Sequence, residues 1–406
     1  MKSLVFFVFF TLMNLSLFGS TTNSVGILYD AQTLKPIANG IITTDSKEYK
    51  TDENGSFTTP KSAKIGARAI GYERKFFATD GKMYLKPLLP KALYLSSLGA
   101  THSGIMGDAK KLLATTKLNA LVIDIKMDRG QVAYSTTNPI ANAIGAQKLV
   151  VFKDLKGFVE NLKKENIYTI ARIVAFKDSP YVSKFPHHGV KKENGEMYKD
   201  KEGLAWIDPS IEASWDYIID IAEETASMGF DEIQFDYVRF PDRKGIVFSV
   251  PNTQEARTKA IASFLKTARK RLVPYNVFLS ADIFGYVSWH NADIDIGQRI
   301  DTMLPYVDYL CPMLYPSGFH KGIPGYTNPV DANYEIVKHS LDKALQKHKS
   351  SPLAYRPWLQ AFRDYAFDRR IYGAKEIGEQ IKASEDFGSS GWILWNPRNV
   401  YIRGGL

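Results

Sequence analysis

Residues 229–241 have the sequence GFDEIQFDYVRFP, in which apolar and polar side chains alternate. The apolar residues from Ile233 to Tyr237 fall on one face of an extended strand, and Gln234 and Asp236 fall on the other, because successive side chains of a strand point to opposite faces. A glycine precedes the run and a proline ends it, as is typical at strand boundaries. We therefore predict a buried β-strand with two polar side chains on one face.

Seven similar runs lie on either side of this one, and segments with a helical period separate them. The predicted strands are 92–97, 120–126, 168–176, 232–240, 277–285, 308–316, 356–362 and 391–397. The predicted helices include 106–117, 151–165, 210–228, 253–272, 330–347 and 374–387. Eight strand–helix alternations predict an α/β fold, a (β/α)8 TIM barrel over residues 90–406. An open, doubly wound sheet is the alternative, but no glycine-rich phosphate loop follows the first predicted strand.

The period-two alternation also predicts which side chains enter the barrel. Polar or aromatic side chains with inward parity occur on five of the strands, namely Asp124, Lys126, Arg172, Gln234, Asp236, Ser280, Asp282, Trp358 and Gln360. TIM-barrel active sites lie at the C-terminal ends of the strands, and a buried charge without a partner is costly. An internal salt-bridge network is the alternative explanation for Asp124, Lys126 and Arg172. A functional role is favoured for Asp236 and Asp282.

Two carboxyl groups beside a polar cleft are what the hydrolysis of an acetal requires. We predict Asp236 and Asp282 as the catalytic residues. Arg172 and Arg239 should keep Asp236 ionised, because a nearby cation favours the charged form of a carboxyl group. Asp282 is followed by two apolar residues, and desolvation should raise its pKa, so Asp282 is the predicted acid.

Aromatic side chains near the predicted strand ends offer flat apolar faces for sugar rings. The predicted substrate-binding residues are Asp124, Lys126, Arg172, Tyr237, Arg239, Tyr315, Trp358, Gln360, Trp395 and Asn396. Trp289 is a further aromatic residue expected at this rim. The expected partner is a polysaccharide or oligosaccharide substrate.

Other chemistries lack their sequence signatures. The chain has neither a GxSxG elbow nor an HExxH metal motif. His187 and His188 are adjacent in a polar loop and are predicted to be solvated. Cys311 is the single cysteine, which excludes a cysteine-cluster metal site and an internal disulfide, and it is predicted to pack in the core. We expect no metal and no cofactor.

The 406-residue chain carries 52 Lys and Arg against 43 Asp and Glu, a net charge of +9. The excess is spread along the chain and forms no basic run, so we expect no nucleic-acid partner. With 45% apolar and 23% charged residues, the composition excludes a mostly disordered, collagenous or coiled-coil chain. The length suits a barrel with one additional small domain. The sequence makes no prediction of the oligomeric state.

The first residues have the pattern of an export signal. Lys2 precedes an apolar stretch from Leu4 to Phe18, and small residues follow from Gly19. We predict a signal peptide at residues 1–19 that is removed on export; a retained membrane anchor is the alternative, although the stretch is short for a span. No later segment is long and apolar enough to cross a bilayer. We therefore expect a periplasmic or secreted protein without an integral membrane segment after cleavage.

Residues 24–88 alternate short apolar runs with turn signals and show no helical period, which predicts a small all-β sandwich domain. DENG at 52–55 begins like a calcium loop but lacks the closing acidic residue, so a hairpin turn is favoured. TDENGSF at 51–57 and IGY at 70–72 resemble the carboxypeptidase regulatory-like β-sandwich family. That resemblance implies an accessory domain without chemistry of its own.

The predicted barrel resembles a bacterial glycoside hydrolase family that was formerly known only as a domain of unknown function and is distantly related to α-amylase-type barrels. The matching motifs are LVIDIK at 121–126 with Gly130 and Tyr134, ARIVAFKD at 171–178, WIDP at 206–209, GFDEIQFDYVRFP at 229–241, SADIFG at 280–285, PMLYP at 312–316, RPWLQAF at 356–362 and GWILWN at 391–396. The resemblance covers about residues 92–402. It implies a glycosidase-like barrel with Asp236 in the nucleophile position.

The sequence departs from the α-amylase-type pattern at three places. Asp282 stands where that pattern has Glu, Met127 stands where an acidic residue is expected, and DANY at 331–334 replaces His-Pro-Tyr. We predict an exported glycoside hydrolase that acts on a cell-envelope or extracellular polysaccharide. A non-catalytic glycan-binding or envelope-scaffolding protein on a TIM barrel is the alternative.

Overall fold

A computed structural model describes residues 23–62, 64–78, 81–348 and 350–406 of the chain. Within these ranges a small β-rich region is followed by an eight-stranded parallel barrel with helices around it. The predicted signal peptide at 1–19 lies outside the described residues.

The β-rich region contains seven short strands. They are β1 (Asn23–Asp30), β2 (Ile41–Thr43), β3 (Glu48–Lys50), β4 (Ser56–Pro60), β5 (Ile65–Arg68), β6 (Lys75–Phe77) and β7 (Gly81–Leu85). They form two sheets, with the strand orders β4-β1-β7 and β3-β2-β5-β6. Leu28, Phe57 and Met83 of the first sheet share one apolar cluster with Ile42 and Ala67 of the second. The predicted β character is therefore observed, while membership in the carboxypeptidase regulatory-like family stays a prediction.

The remaining strands form the barrel and one short antiparallel pair. In chain order they are β8 (Lys91–Leu95), β9 (Ala120–Lys126), β10 (Tyr168–Val174), β11 (Lys191–Lys192), β12 (Glu232–Asp236), β13 (Ile246–Val247), β14 (Phe278–Phe284), β15 (Tyr309–Met313), β16 (Trp358–Gln360) and β17 (Trp392–Trp395). The barrel order is β8-β9-β10-β12-β14-β15-β16-β17, and β17 pairs in parallel with β8 to close it. Strands β11 and β13 pair only with each other. The predicted TIM barrel and its eight strands are confirmed.

Helices connect the strands and cover the outside of the barrel. They are α1 (Ser97–Thr101), α2 (Ser103–Thr115), α3 (Pro139–Ala143), α4 (Leu155–Lys164), α5 (Ser179–Lys184), α6 (Trp215–Ser227), α7 (Gln254–Leu272), α8 (Ile300–Met303), α9 (Asn333–His348) and α10 (Ala374–Phe387). The six predicted helices overlap α2, α4, α6, α7, α9 and α10. Among the helices of the described residues, none is long and apolar enough to cross a membrane.

Alternation along the strands separates two layers of packing. Outward side chains such as Leu121 and Ile233 join a large apolar cluster with the helices. Inward side chains such as Val122, Ile170 and Ile393 form a smaller cluster inside the barrel. Burying one such aliphatic side chain stabilises the fold by about 1.5–3 kcal/mol. The inward polar residues near the C-terminal strand ends belong to neither apolar cluster and form a separate, polar layer.

The β-rich region packs against the N-terminal end of the barrel. Arg74 donates to the carbonyl oxygen of Phe230 at 2.7 Å and pairs with Asp231 at 3.3 Å, just before β12. Glu48 pairs with Arg269 of α7 at 2.8 Å. This docking leaves the C-terminal end of the barrel, where TIM-barrel enzymes have their active sites, uncovered by the β-rich region.

Asn276 is a buried contact of this interface. Its backbone has a φ of +49°, in the left-handed region. Its side-chain amide donates to the carbonyl oxygens of Ala67 at 3.2 Å and Lys75 at 3.1 Å, and its oxygen accepts from Arg68 at 3.3 Å. One side chain thus joins the start of β14 to two strands of the β-rich region.

Replacing Asn276 by glycine should destabilise the protein. Glycine keeps the left-handed backbone, so the variant removes only the side chain and leaves its buried partners unpaired. We expect the free energy of unfolding to fall by about 2–4 kcal/mol, because each buried polar group without a partner costs about 1–3 kcal/mol. Chemical denaturation of the full chain measures this change.

The matched control is Asn166→Gly, because Asn166 is exposed and also has a left-handed backbone, with a φ of +58°. That substitution should change the free energy of unfolding by less than about 0.5 kcal/mol. Equal effects of the two substitutions would contradict a stabilising role for the Asn276 side chain in the interface.

Candidate active site

A cleft of about 300 Å³ opens at the C-terminal end of the barrel. We call it the central cleft. Seven of the predicted site residues line it, namely Arg172, Asp236, Tyr237, Arg239, Tyr315, Trp358 and Trp395. They come from β10, β12, β16 and β17 or from the residues that directly follow β12 and β15. The closed barrel therefore brings together side chains that are up to 223 positions apart in the chain.

Arg172 links two carboxylates inside the barrel. Its Nη1 donates to Asp124 Oδ1 at 2.6 Å. Its Nε donates to Asp236 Oδ2 at 3.0 Å, and its Nη2 also bonds that oxygen. Burial opposes the charge of the Arg172 guanidinium, but Asp124 and Asp236 raise its pKa well above the usual value. The cation is therefore held between the two carboxylates.

Asp236 is the carboxylate that faces the cleft. Its side chain lines the cavity, although the residue is only 8% exposed. Oδ2 is held by Arg172, and Oδ1 accepts the backbone N–H of Tyr237 at 2.6 Å. Because both oxygens are engaged, the orientation of this carboxylate is fixed before a ligand enters.

Asp282 lies one layer below the cleft. It is 1% exposed and does not line the cavity, whereas Trp358 does line it and donates its indole N–H to Asp282 Oδ1 at 2.7 Å. Within the described residues, the buried Oδ2 has no hydrogen-bond partner. Burial and the charge of Asp236 raise the pKa of Asp282 well above its usual value. The protonated form of Asp282 is therefore favoured relative to that of an exposed aspartate.

The backbone bends sharply after Asp236. Tyr237 has a φ of +49°, in the left-handed region that bulky side chains rarely adopt. Strained backbone of this kind typically costs about 1–3 kcal/mol and clusters at functional sites. Here the bend turns the Tyr237 N–H toward the Asp236 carboxylate and its ring toward Trp206, 5.5 Å away.

Arg239 reaches the cleft from the loop after β12. Its guanidinium lies 4.8 Å from the ring centre of Trp206 and 5.4 Å from that of Tyr237. One N–H donates to the carbonyl oxygen of Phe240 at 3.0 Å. Among the described residues no carboxylate forms an ion pair with it, so this cation differs from Arg172.

Lys126 does not reach the cleft, contrary to the prediction. Strands β9 and β10 pair Asp124 with Arg172 but Lys126 with Ile173, so the register shifts at this point. Ile173 faces the helices, and Lys126 does likewise. Its ammonium group pairs with Asp178 at 2.8 Å in a fully buried position. The β-bulge therefore reverses the parity that the sequence predicts and places Lys126 away from the lining of the central cleft.

Three other predicted residues use their polar groups internally. Gln360 is fully buried and holds Ser317 by two hydrogen bonds, of 2.7 and 3.0 Å. Asn396 donates to the carbonyl oxygens of Ala361 and Val400 and does not line the central cleft. The Trp289 indole donates to Ser340 of α9 and lies away from this cleft. Asp124 also lies beneath the cleft and acts through Arg172. Gln360, Trp289 and Asp124 are therefore supporting residues, whereas Asn396 lines a neighbouring groove beside β16 and β17.

Sequence reasoning missed several residues of the site. The cleft is also lined by Phe284, Tyr286, Met313, Phe319 and Tyr365. Tyr94 of β8 donates to Asp124 Oδ2 at 2.6 Å from inside the barrel. Inward parity on β8 could have identified Tyr94, because it follows the inward Ala92 by two residues. Tyr286 and Phe319 lie in short 3-10 helices after β14 and β15, and Tyr365 lies in a loop, so no strand period predicts their directions.

The arrangement can support chemistry that needs two carboxyl groups in different protonation states. Asp236 faces the cleft in a pair with Arg172, and Asp282, whose pKa is raised by burial, lies beneath it. Tyr315 and Trp395 stack at 5.3 Å between ring centres and give the cleft a flat aromatic wall. In the part of the chain that the structure describes, no group of three or more His, Cys, Asp or Glu residues is placed to hold a metal ion.

Solved structures with a similar fold include glycoside hydrolases. The glycoside hydrolase domain of PgaB (BpsB) from Bordetella bronchiseptica is 14% identical, with 77% of this chain and 95% of that chain covered and a TM-score of 0.57. A hypothetical protein from Ruminiclostridium thermocellum is 38% identical over 47% of this chain and 96% of its own, with a TM-score of 0.42. A chitinase from Chromobacterium violaceum is 12% identical over 78% and 96%, with a TM-score of 0.47. The likeness to PgaB shows the shared barrel fold.

A family profile identifies the barrel more directly. Among curated proteins, none matches the chain. The profile of a family described as "Putative glycosyl hydrolase domain" matches residues 92–401, which is more than half of the chain and includes nearly all of the barrel. The chain therefore belongs to this glycosyl hydrolase family.

Proposed function

We propose that this protein hydrolyses glycosidic bonds of a polysaccharide in the cell envelope or outside the cell. In this proposal Asp236 is the catalytic carboxylate and Asp282 is the acid. The observation that carries it is the position of Asp236, which faces the cleft in a pair with Arg172 above a second carboxyl group whose pKa is raised by burial. The family of the chain supports the class of reaction.

Asp236 acts on the sugar in this proposal. Glycoside hydrolysis develops positive charge on the sugar ring, and a carboxylate beside the ring stabilises that charge or attacks the ring carbon. Arg172 and the Tyr237 N–H hold the two oxygens of Asp236 in place. A substrate therefore meets a carboxylate that is already oriented, which lowers the cost of reaching the transition state.

Asp282 supplies the proton in this proposal. Burial raises the pKa of this carboxyl group, which is the direction that a general acid requires. The Trp358 indole stands between Asp282 and the cleft and holds one of its oxygens. Oδ2, which has no partner among the described residues, is free to carry the proton, and its delivery requires the indole to move from between Asp282 and the sugar.

The surroundings of the central cleft support a polymeric substrate. A groove of about 410 Å³ beside β10 and β12 shares Tyr237 and Arg239 with the cleft. A second groove, of about 510 Å³, lies beside β16 and β17 and shares Tyr365 and Trp395 with it. Strands β12 and β17 are four places apart in a ring of eight, so the two grooves lie on opposite sides of the cleft. The two grooves and the central cleft together form an extended path, which we call the glycan track. An extended glycan fits this track with Asp236 near its middle.

A second candidate function is glycan binding without cleavage. The enclosure of Asp282 under Trp358 favours it, because Asp236 is then the carboxylate that a bound sugar meets in the cleft. Aromatic walls and a fixed carboxylate also serve recognition alone. The two candidates differ in one measurable result, the release of new reducing ends.

The cellular location is a proposal as well. The predicted signal peptide supports export, and an envelope or extracellular polysaccharide is the substrate that an exported protein meets. Mass spectrometry of the protein recovered from the extracytoplasmic fraction should find a new N-terminus close to Gly19. Recovery of a chain that retains Lys2 from that fraction would contradict cleavage.

Replacing Asp236 by asparagine should abolish hydrolysis, and the variant should be less stable but still folded, because Arg172 keeps its ion pair with Asp124. The variant keeps the shape of the side chain and removes its charge. We expect kcat to fall by about 10³-fold or more, as is typical when a catalytic carboxylate is lost. The assay is the release of reducing ends from a polysaccharide that the purified wild type cleaves, identified by screening envelope and extracellular glycans.

The matched control is Asp342→Asn on the outer helix α9, where Asp342 pairs with Lys338. It should leave kcat unchanged. Near wild-type hydrolysis by Asp236→Asn would show that the carboxylate is not catalytic. If the wild type cleaves no glycan but one glycan raises its Tm, the binding function is the correct one.

Replacing Asp282 by asparagine should change how stability depends on pH. Folding raises the pKa of Asp282, so the folded wild type holds this proton more tightly than the unfolded chain does. The Asp282 contribution to the free energy of unfolding therefore falls as the pH rises above the unfolded pKa of about 4. Asparagine has no such proton. The difference in free energy of unfolding, wild type minus variant, should decrease from about pH 4 to about pH 7 in denaturation measurements.

Asp342→Asn again provides the comparison, because Asp342 is partly exposed and should show no such decrease. A wild-type minus Asp282→Asn difference that is constant with pH would contradict a protonated Asp282. If Asp282 is also the acid, its variant should be slowed least on substrates with good leaving groups, because those need little protonation.

A further inference from the structure

The two arginines of the central cleft are in different electrostatic states. Arg172 is neutralised by Asp124 and Asp236, both within hydrogen-bond distance. Arg239 lines the same cleft and forms no ion pair with the residues that the structure describes. The charge of Arg172 is therefore used within the protein, and the charge of Arg239 is available to a ligand.

Several contacts hold the Arg239 side chain in place. The guanidinium is half-buried, stands over the rings of Trp206 and Tyr237, and uses one N–H on the carbonyl oxygen of Phe240. A guanidinium has five N–H donors, so several remain for a ligand. The aromatic contacts limit the motion of this side chain, which reduces the entropy lost on binding.

Burial of an unpaired cation has a cost that an anionic ligand would remove. Burial lowers the pKa of the Arg239 guanidinium, because the cation has lost hydration without gaining a bonded carboxylate. Asp236 is already engaged by Arg172 and Tyr237, and Asp242 is exposed. The forked guanidinium matches the geometry of a carboxylate, which can accept two parallel hydrogen bonds.

Arg239 also lies where the proposed glycan track enters the cleft. It lines both the central cleft and the groove beside β10 and β12. A sugar bound next to the one that meets Asp236 would therefore contact Arg239. On this geometry we propose that Arg239 binds the carboxylate of an acidic sugar, so that the substrate is a polysaccharide containing uronic acids. This proposal rests on the proposed function and names the substrate class of the same site.

The test is affinity electrophoresis of the full chain in gels that contain polygalacturonate, alginate or hyaluronate. Methyl-esterified polygalacturonate is the matched neutral polymer, because it has the same backbone without the charge. We expect at least one acidic polymer to retard the wild type, and we expect Arg239→Gln to raise the dissociation constant by about tenfold or more, as loss of hydrogen bonds to a charged group does. Arg239→Lys keeps the charge and loses the fork, so it should bind with intermediate affinity.

Lys375→Gln is the control for charge alone, because it removes one positive charge from an exposed side chain of α10. The acidic polymer should retard it as strongly as the wild type, with mobility measured relative to a gel without polymer. Thermal unfolding should show that the Arg239 variants are folded. The proposal is overturned if none of the three acidic polymers retards the wild type. It is also overturned if Arg239→Gln binds as tightly as the wild type, or if the neutral polymer is bound equally well.

The same samples separate this proposal from the proposed function. Binding of an acidic polymer that depends on Arg239, without release of reducing ends, would contradict hydrolysis of that polymer and support acidic-sugar recognition. Release of reducing ends from a neutral glycan alone, unchanged in Arg239→Gln, would support hydrolysis and overturn acidic-sugar recognition.

Discussion

The polar layer of the barrel depends on the Arg172 guanidinium. Asp124 and Asp236 point into the same enclosed space from β9 and β12, the strands on either side of β10, and two buried carboxylates would repel each other there. The guanidinium bonds both and makes their burial tolerable. Removing one partner of such a pair typically costs about 3–5 kcal/mol, because the remaining charge is left buried without compensation. The Asp236 carboxylate therefore stabilises the barrel, in addition to facing the cleft.

The two ends of the barrel differ in what they contact. At the N-terminal end, Glu232 and Arg356 form a fully buried ion pair of 2.6 Å, and the β-rich region packs over this end through Arg74 and Asn276. At the other end, the polar layer faces an open cleft with aromatic walls. Because the β-rich region docks away from the cleft, it supports the barrel without narrowing the entrance for a ligand.

Environment decides what each charged residue does at this end. Asp236 and Asp282 are the same residue type on neighbouring strands, but one is paired with a cation beside a cavity and the other is enclosed by Trp358. Arg172 and Arg239 differ in the same way, since one is held between carboxylates and the other stands on aromatic rings. These contrasts, and not the residue types alone, raise the pKa of Asp282 and separate an internal cation from one that a ligand can meet.

Local sequence patterns were sufficient to predict the barrel, its eight strands and the inward direction of Asp124, Arg172, Asp236 and Asp282, because period-two alternation is a local property of an extended chain. Other features of the site depend on tertiary packing. A register shift between β9 and β10 turned Lys126 toward Asp178, and no local pattern encodes such a bulge. The indole that covers Asp282 comes from β16, 76 positions away in the chain. The cleft residues Tyr286, Phe319 and Tyr365 lie outside the barrel strands, where side chains do not alternate with period two. Their directions therefore depend on the packing of the closed barrel.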